Sequence, residues 1–209
     1  MSQKSRWMGL CAVLGLLAGA TGAGADEPPP PPFVKGETEL GLSAGASLPL
    51  GAIDFEGGGD EGTFDLRPGP VFSGHVSYAL SQSAALGISL GFAPYDISNS
   101  ETPEPGDYRI SVAEVMIFGR LYLDPRYGFT PYAHARLGLV RQKLSLDLPD
   151  DLTGSNVAGH PGVGAGLGAI WRGTGSFAVN VELLGLTTIS THGTTYVSLR
   201  VGLLFVRGR

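Results

Sequence analysis

Residues Glu39 to Leu50 read ELGLSAGASLPL, and their alternation decides the fold. Leu40, Leu42, Ala44, Ala46, Leu48 and Leu50 share one parity, while Glu39, Gly41, Ser43, Gly45 and Ser47 share the other. Successive side chains of a strand point to opposite faces. This segment therefore has one apolar face and one face of small and polar groups. The same pattern recurs along the chain. Phe72, Val76, Tyr78 and Leu80 oppose Ser73, His75 and Ser77; Leu86, Ile88, Leu90 and Phe92 oppose Gly87, Ser89 and Gly91. Val115, Ile117, Leu121 and Leu123 oppose Glu114, Met116, Phe118, Arg120 and Tyr122. Further on, Phe129, Ala133, Ala135, Leu137 and Leu139 oppose Thr130, Tyr132, His134, Arg136 and Gly138. Val163 to Trp171 then alternates with glycines from Gly162 to Gly168. Phe177, Val179, Val181 and Leu183 oppose Asn180 and Glu182, and Val197, Leu199, Val201, Leu203 and Phe205 oppose Tyr196, Ser198, Arg200 and Gly202.

Nearly all strand charge thus shares a face with glycine, and the other face is almost uncharged. A soluble barrel of the lipocalin type would turn that uncharged face inward and expose Arg136, Glu182 and Arg200 to water, but soluble surfaces carry dense charge. The pattern predicts the opposite: an all-β, eight-stranded antiparallel up-and-down transmembrane barrel with hydrocarbon against its exterior. Each segment reaches the roughly 9–11 residues that a tilted membrane strand needs. Ile110 and Val112 fall out of phase with their segment, which predicts a bulge there or a stretch beyond the membrane.

The connections alternate too. Ser81–Ser83, Asp124–Gly128 and Gly173–Gly175 are tight turns; Gly51–Gly69, Pro94–Asp107, Ser145–His160 and Thr187–Gly193 are longer. Short turns on one rim and long loops on the other mark periplasmic and extracellular sides, with both termini on the periplasmic side. Tyr78, Phe129, Trp171, Phe177 and Phe205 then fall at the periplasmic rim, and Phe72 and Phe92 at the opposite rim, all facing outward. Two such girdles suit the amphipathic boundary between lipid and water.

The 209 residues suit one domain with a short appendage. Residues 1–25 read as a cleaved secretory signal: Lys4 and Arg6, an apolar run from Trp7 to Ala20, then Ala23-Gly24-Ala25. That run is too short for an uncleaved anchor, and Cys11 lies too early for lipoprotein processing. Residues 26–36 form a Pro-rich linker carrying Pro28 to Pro32, and residues 37–209 form the barrel. Cleavage removes the only cysteine, which excludes a thiol nucleophile or a Cys-ligated metal. It leaves 12 of the 14 basic groups against all 19 acidic ones, a net charge of −7. Nucleic acid is a poor partner for such a chain.

Three stretches carry a resemblance. Thr130-Pro131-Tyr132 with Ala135-Arg136-Leu137-Gly138, the glycine alternation of 162–168, and Asn180-Val181-Glu182 look like parts of the OmpA/OmpX-like eight-stranded outer-membrane barrels. The last strand resembles that family's C-terminal assembly signal, although Val206-Arg207-Gly208-Arg209 follow Phe205 where the family closes on its aromatic. The resemblance implies an outer-membrane location in a Gram-negative cell envelope. It also implies the outer-membrane lipid and the barrel-assembly machinery, through the C-terminal strand, as partners.

Inside so narrow a barrel side chains fill the lumen, and buried ions must pair. An ion-pair network centred on Glu182 with Arg200 and Arg136 is expected, with His75 and His134 nearby, Glu114 nearer the outer mouth and Arg120 nearer the periplasm. The glycines of 162–168 are expected to make room for the arginines. Asp54, Glu56, Asp60, Glu61 and Asp65 in the first long loop, and Asp147, Asp150 and Asp151 in the third, match no EF-hand spacing and read as solvated acids. Ser190-Thr191-His192 is a hydroxyl–histidine pair with no adjacent acid, unlike the lipid A-modifying barrels. No catalytic, cofactor or metal site is assigned. The expected function is structural or interactive, through four extracellular loops; a narrow pore for small solutes is the alternative, and a lipid A-modifying enzyme the third reading.

Overall fold

The computed structural model describes residues 34–51, 53–55, 62–64, 66–97, 107–123, 129–147, 153–172, 176–190 and 194–207. Residues 1–25, expected to be a secretory signal, the proline run, Glu56, Asp60, Glu61, Asp65, Asp150, Asp151, Thr191, His192 and the turns expected at 124–128 and 173–175 lie outside them. Ten strands follow in order: β1 (Thr38–Leu50), β2 (Ile53–Phe55), β3 (Gly62–Phe64), β4 (Gly69–Ala79), β5 (Ala84–Asp96), β6 (Asp107–Tyr122), β7 (Phe129–Asp147), β8 (Thr153–Arg172), β9 (Phe177–Thr188) and β10 (Thr195–Arg207). Eight of them close an antiparallel barrel in the order β1-β10-β9-β8-β7-β6-β5-β4. The short pair β2–β3 stands apart, as a hairpin in the connection between β1 and β4.

The pairing fixes the barrel's stagger. Leu40 pairs with Val76, then Ile88, Ile117, Leu137, Val163, Thr187 and Thr195 follow in register, and Thr195 pairs with Leu50. One circuit therefore returns to β1 ten residues further on. Such a stagger on eight strands tilts them by roughly 35–45° and narrows the interior to side-chain width. Closure leaves no open edge, so each ladder bond is satisfied within the wall, as a hydrocarbon surround requires.

Burial follows the alternation read from the sequence. Leu42, Leu139, Leu167 and Leu203 point outward with 64–68 % of their surface exposed, whereas Arg120, Arg136, Glu182 and Arg200 point inward with 2–8 %. Tyr78, Phe129, Phe177, Phe205, Phe72 and Phe92 are exposed on the outer face, and Trp171 is half-buried there. Phe177 and Phe205 pair across β9 and β10, with ring centroids 5.4 Å apart.

Two expectations change. Of the bulge or the stretch beyond the membrane expected at Ile110 and Val112, the bulge is absent: the register of β6 with β5 and β7 is continuous through both. Those residues keep the inward parity of Glu114 and are buried because the lumen itself turns apolar at that height. The third long loop is also shorter than 145–160. Strands β7 and β8 remain paired out to Asp147 and Thr153, which leaves only 148–152 between them. Past the apolar belt the outward positions of β7 become Arg141, Lys143, Ser145 and Asp147, so the hydrophobic period fades while backbone pairing continues.

Candidate functional site

The lumen is built in three layers along the barrel axis. At the rim holding the start of β1, the end of β10 and the Ser81–Ser83 turn, Ala79, Ala85, Tyr122, Tyr132, Ile170, Ala178, Leu204 and Val206 pack into one apolar cluster. At the rim of the long loops, Val71, Tyr95, Ile110, Val112, Met116, Val140, Leu186 and Tyr196 form a second. Tyr95 and Tyr196 stack there with centroids 5.6 Å apart; Tyr95 donates to Ser47 Oγ at 2.7 Å, and Gln142 Nε2 donates to the Tyr196 hydroxyl at 2.7 Å. Between the two clusters lie most of the lumen's charges; Glu37 and Arg172, 3.6 Å apart with their side chains buried, stand at the terminal rim.

Three arginines meet three carboxylates in that middle layer. Arg136 Nη2 donates to Glu182 Oε1 at 2.6 Å, and Tyr132 donates to the other oxygen at 3.1 Å. Arg136 Nε also reaches His134 Nδ1 at 3.0 Å. Arg200 Nη2 donates to Glu114 Oε1 at 3.1 Å. Arg120 Nη1 lies 2.8 Å from Glu39 Oε1 and 3.1 Å from Oε2, and His75 Nε2 shares Oε1 at 2.5 Å. The Arg120 guanidinium also sits over the Tyr132 ring, 4.5 Å from its centroid, an arrangement that aromatic quadrupoles favour. Lone buried ions would each cost several kcal/mol, and one-to-one pairing with added hydrogen bonds offsets that.

The partition differs from a single network centred on Glu182. Arg136 is its partner, but Arg200 is not, although the two backbones pair directly in the β9–β10 ladder. Arg200 Nε donates to Ser198 Oγ at 3.1 Å, which leans the side chain along β10 toward the loop rim and onto Glu114. Glu182 is already occupied by Arg136 and Tyr132, and Glu114 would otherwise be a buried carboxylate without a cation. Glu114 lines the apolar layer at the loop rim, whereas Arg120 lies against Tyr122 and Tyr132 of the layer at the terminal rim.

Sequence reasoning passed over Glu39, and Glu37 with it. The signal for Glu39 was available: a lone carboxylate at an inward position of β1 needs a cation, and only the register across three strands shows that the cation is Arg120. The role of the β8 glycines also changes. A Cβ on Gly166 would overlap the His134 ring, and one on Gly168 the Tyr132 ring. These glycines make room for a histidine and a tyrosine of the neighbouring strand, not for arginines. Beside Glu114 and Arg200 a cavity of about 20 Å³ remains, lined also by Ser47, Tyr95, Tyr196 and Ser198. That is space on the scale of one water and no solute.

Among the described residues no group of three or more His, Cys, Asp or Glu side chains could hold a metal. Asp54 lies in β2, Asp147 ends β7, and Ser190 follows β9 at the loop rim.

No protein-family model matches the chain, and no curated protein matches it. Solved structures do. OprG of Pseudomonas aeruginosa superposes with a TM-score of 0.64 at 9% identity, over 85% of this chain and 98% of that one. Ail, the attachment invasion locus protein of Yersinia pestis, solved with the heparin analogue sucrose octasulfate, gives 0.57 at 12% identity, over 83% and 100%. Neisserial surface protein A gives 0.53 at 14% identity, over 82% and 97%. The chain has the fold of the small outer-membrane β-barrels. At these identities the likeness extends to architecture, and the lumen has to be read from its own residues.

Proposed function

We propose that this chain is a non-enzymatic outer-membrane barrel, exported through its cleaved 1–25 segment, whose filled lumen stabilises the wall while its long loops meet the exterior. The observation that carries this reading is the closure of the lumen by two apolar layers with a charge-balanced layer between them. A pore needs a continuous polar path, and here Tyr95, Tyr196, Ile110 and Val140 stand across one end and Tyr122, Tyr132, Ile170 and Leu204 across the other. An even strand number puts both ends of the barrel on one side, and the tight Ser81–Ser83 turn marks that side as periplasmic. Strand β10, which closes the barrel against β1, is the segment offered to the assembly machinery.

Conductance across planar bilayers tests the reading. Purified, heat-modifiable protein is expected to insert without a steady open state. A sustained channel above the bilayer's leak would overturn the sealed-lumen reading and favour the narrow pore.

A further inference from the structure

Beyond the lumen, one wall of the barrel carries charge on the face that elsewhere meets lipid. Among the described residues, Arg120, Arg136 and Arg200 are buried inside and paired with carboxylates. Arg109, Arg141 and Lys143 are different: all are exposed, and all take the outward parity of β6 and β7. On β7 they continue the lipid-facing series, since Leu137 and Leu139 precede Arg141 and Lys143 on the same face. The register gives their height. Phe72 pairs with Phe92, Phe92 with Ala113 and Ala113 with Arg141, so Arg141 stands on the row of the upper aromatic girdle. Because the rows climb toward the loop rim at each step of the stagger, Arg141 lies above those rings; Lys143 is two residues further along β7, and Arg109, which pairs with Ser145, stands one row beyond Lys143.

The other exposed cations among the described residues are Arg67, whose backbone bonds Asp96, and Lys35 and Arg207 at the opposite rim. At comparable height the outward residues of β1 and of the segment after β9 are Leu50 and Ile189, both about half exposed. Asp96 lies 4.0 Å from Arg109, with both side chains largely in solvent. Among the side chains the structure describes, no carboxylate pairs with Arg141 or Lys143; those of Asp107 and Asp147 lie outside that set. Three cations immediately above an apolar belt, in a chain whose net charge is −5, face the depth at which lipid headgroups begin.

We propose that Arg109, Arg141 and Lys143 on the outer face of β6 and β7 form a docking surface for the phosphate groups of an outer-leaflet glycolipid. The apolar leucines below would lie along its acyl chains, and the guanidinium groups offer the paired donors that phosphate oxygens accept. The surface faces the outer leaflet only in the orientation proposed above, on which it therefore rests.

The test uses the folded protein in phosphatidylcholine nanodiscs carrying a minor fraction of lipid A, with dephosphorylated lipid A as the control and native mass spectrometry as the readout. At roughly fivefold in affinity for each basic residue at an anionic surface, three residues give a preference on the order of a hundredfold. The wild type is expected to retain lipid A at least tenfold better than the dephosphorylated lipid. R109Q/R141Q/K143Q is expected to lose that preference while keeping its heat-dependent gel mobility. Equal retention of the two lipids by heat-modifiable wild-type protein would overturn the docking surface and leave the barrel reading intact. Failure to enter nanodiscs at all would instead defeat the membrane reading beneath it. Preference for a soluble sulfated saccharide over lipid A would also overturn the proposal, and the wild-type comparison decides it even if the triple variant misfolds.

Discussion

Removing the Glu182 carboxylate is the sharpest perturbation of the lumen. In Glu182→Ala the Arg136 guanidinium loses its 2.6 Å partner and keeps only His134 Nδ1 at 3.0 Å and the Ser89 hydroxyl at 3.5 Å. Neither carries a negative charge, and Arg136 is 8 % exposed. Stranding one ion of a buried pair costs about 3–5 kcal/mol, whereas replacing both by apolar groups of similar volume is often neutral or better. The expected series is therefore a loss of about 3–5 kcal/mol for E182A, a smaller loss for E182Q, which still accepts a hydrogen bond, and a change within about 1 kcal/mol for E182L/R136M. Urea unfolding of the protein in phospholipid vesicles measures it. Trp171, the one tryptophan after Trp7, sits on the outer face paired with Phe129 and reports withdrawal from lipid. An E182A loss below about 1 kcal/mol, or a double variant as unstable as the single, would refute the reasoning.

Two further outcomes are expected in the same assay. Glu39→Ala should cost at least as much as E182A, because it strands Arg120, which is 2 % exposed, and also removes the hydrogen-bond partner of His75; wild-type-like stability would show that the pair contributes nothing. Gly168→Ala should cost about 1–3 kcal/mol by forcing Tyr132 from its seat, while Gly185→Ala, whose new methyl would meet nothing nearer than Ala165 O at 3.8 Å, should stay within about 0.5 kcal/mol of wild type.

The barrel was legible because hydrocarbon imposes a strict rule. Leu40, Ile88, Ile117, Leu137 and Leu203 all had to lie on one parity, and the period of two exposes that directly. The lumen was legible only in part. Charged residues at inward positions announce that pairing must occur, but the choice of partner depends on which strands face each other across the interior and on how each side chain leans. Glu182 and Arg200 share a ladder rung, yet Arg200 turns to Glu114. The loop-rim layer was hidden for a related reason. Ile110 and Val112 look out of phase when every inward residue is assumed polar, and the assumption fails where the interior is sealed. Beyond the belt, the paired outer ends of β7 and β8 had no lipid to impose a period, so a ladder read as a loop.

The pairing also explains how the barrel's seam is held. The ends of the closed sheet are β1 and β10, whose pairing joins the first strand to the last. Glu39 on β1 and Arg200 on β10 both reach across the lumen to β6, through Arg120 and Glu114 respectively. The contacts join residues 81 and 86 positions apart in sequence, far longer separations than any hairpin supplies. The third pair, Arg136 with Glu182, ties β7 to β9 across β8, whose inward glycines could not bridge that gap themselves. A one-residue slip of β1 against β10 would turn Glu39 out toward lipid and leave Arg120 buried without its anion. The charges thus penalise the wrong closure more than they stabilise the right one. That is why they lie between apolar layers, where an unmatched ion costs most.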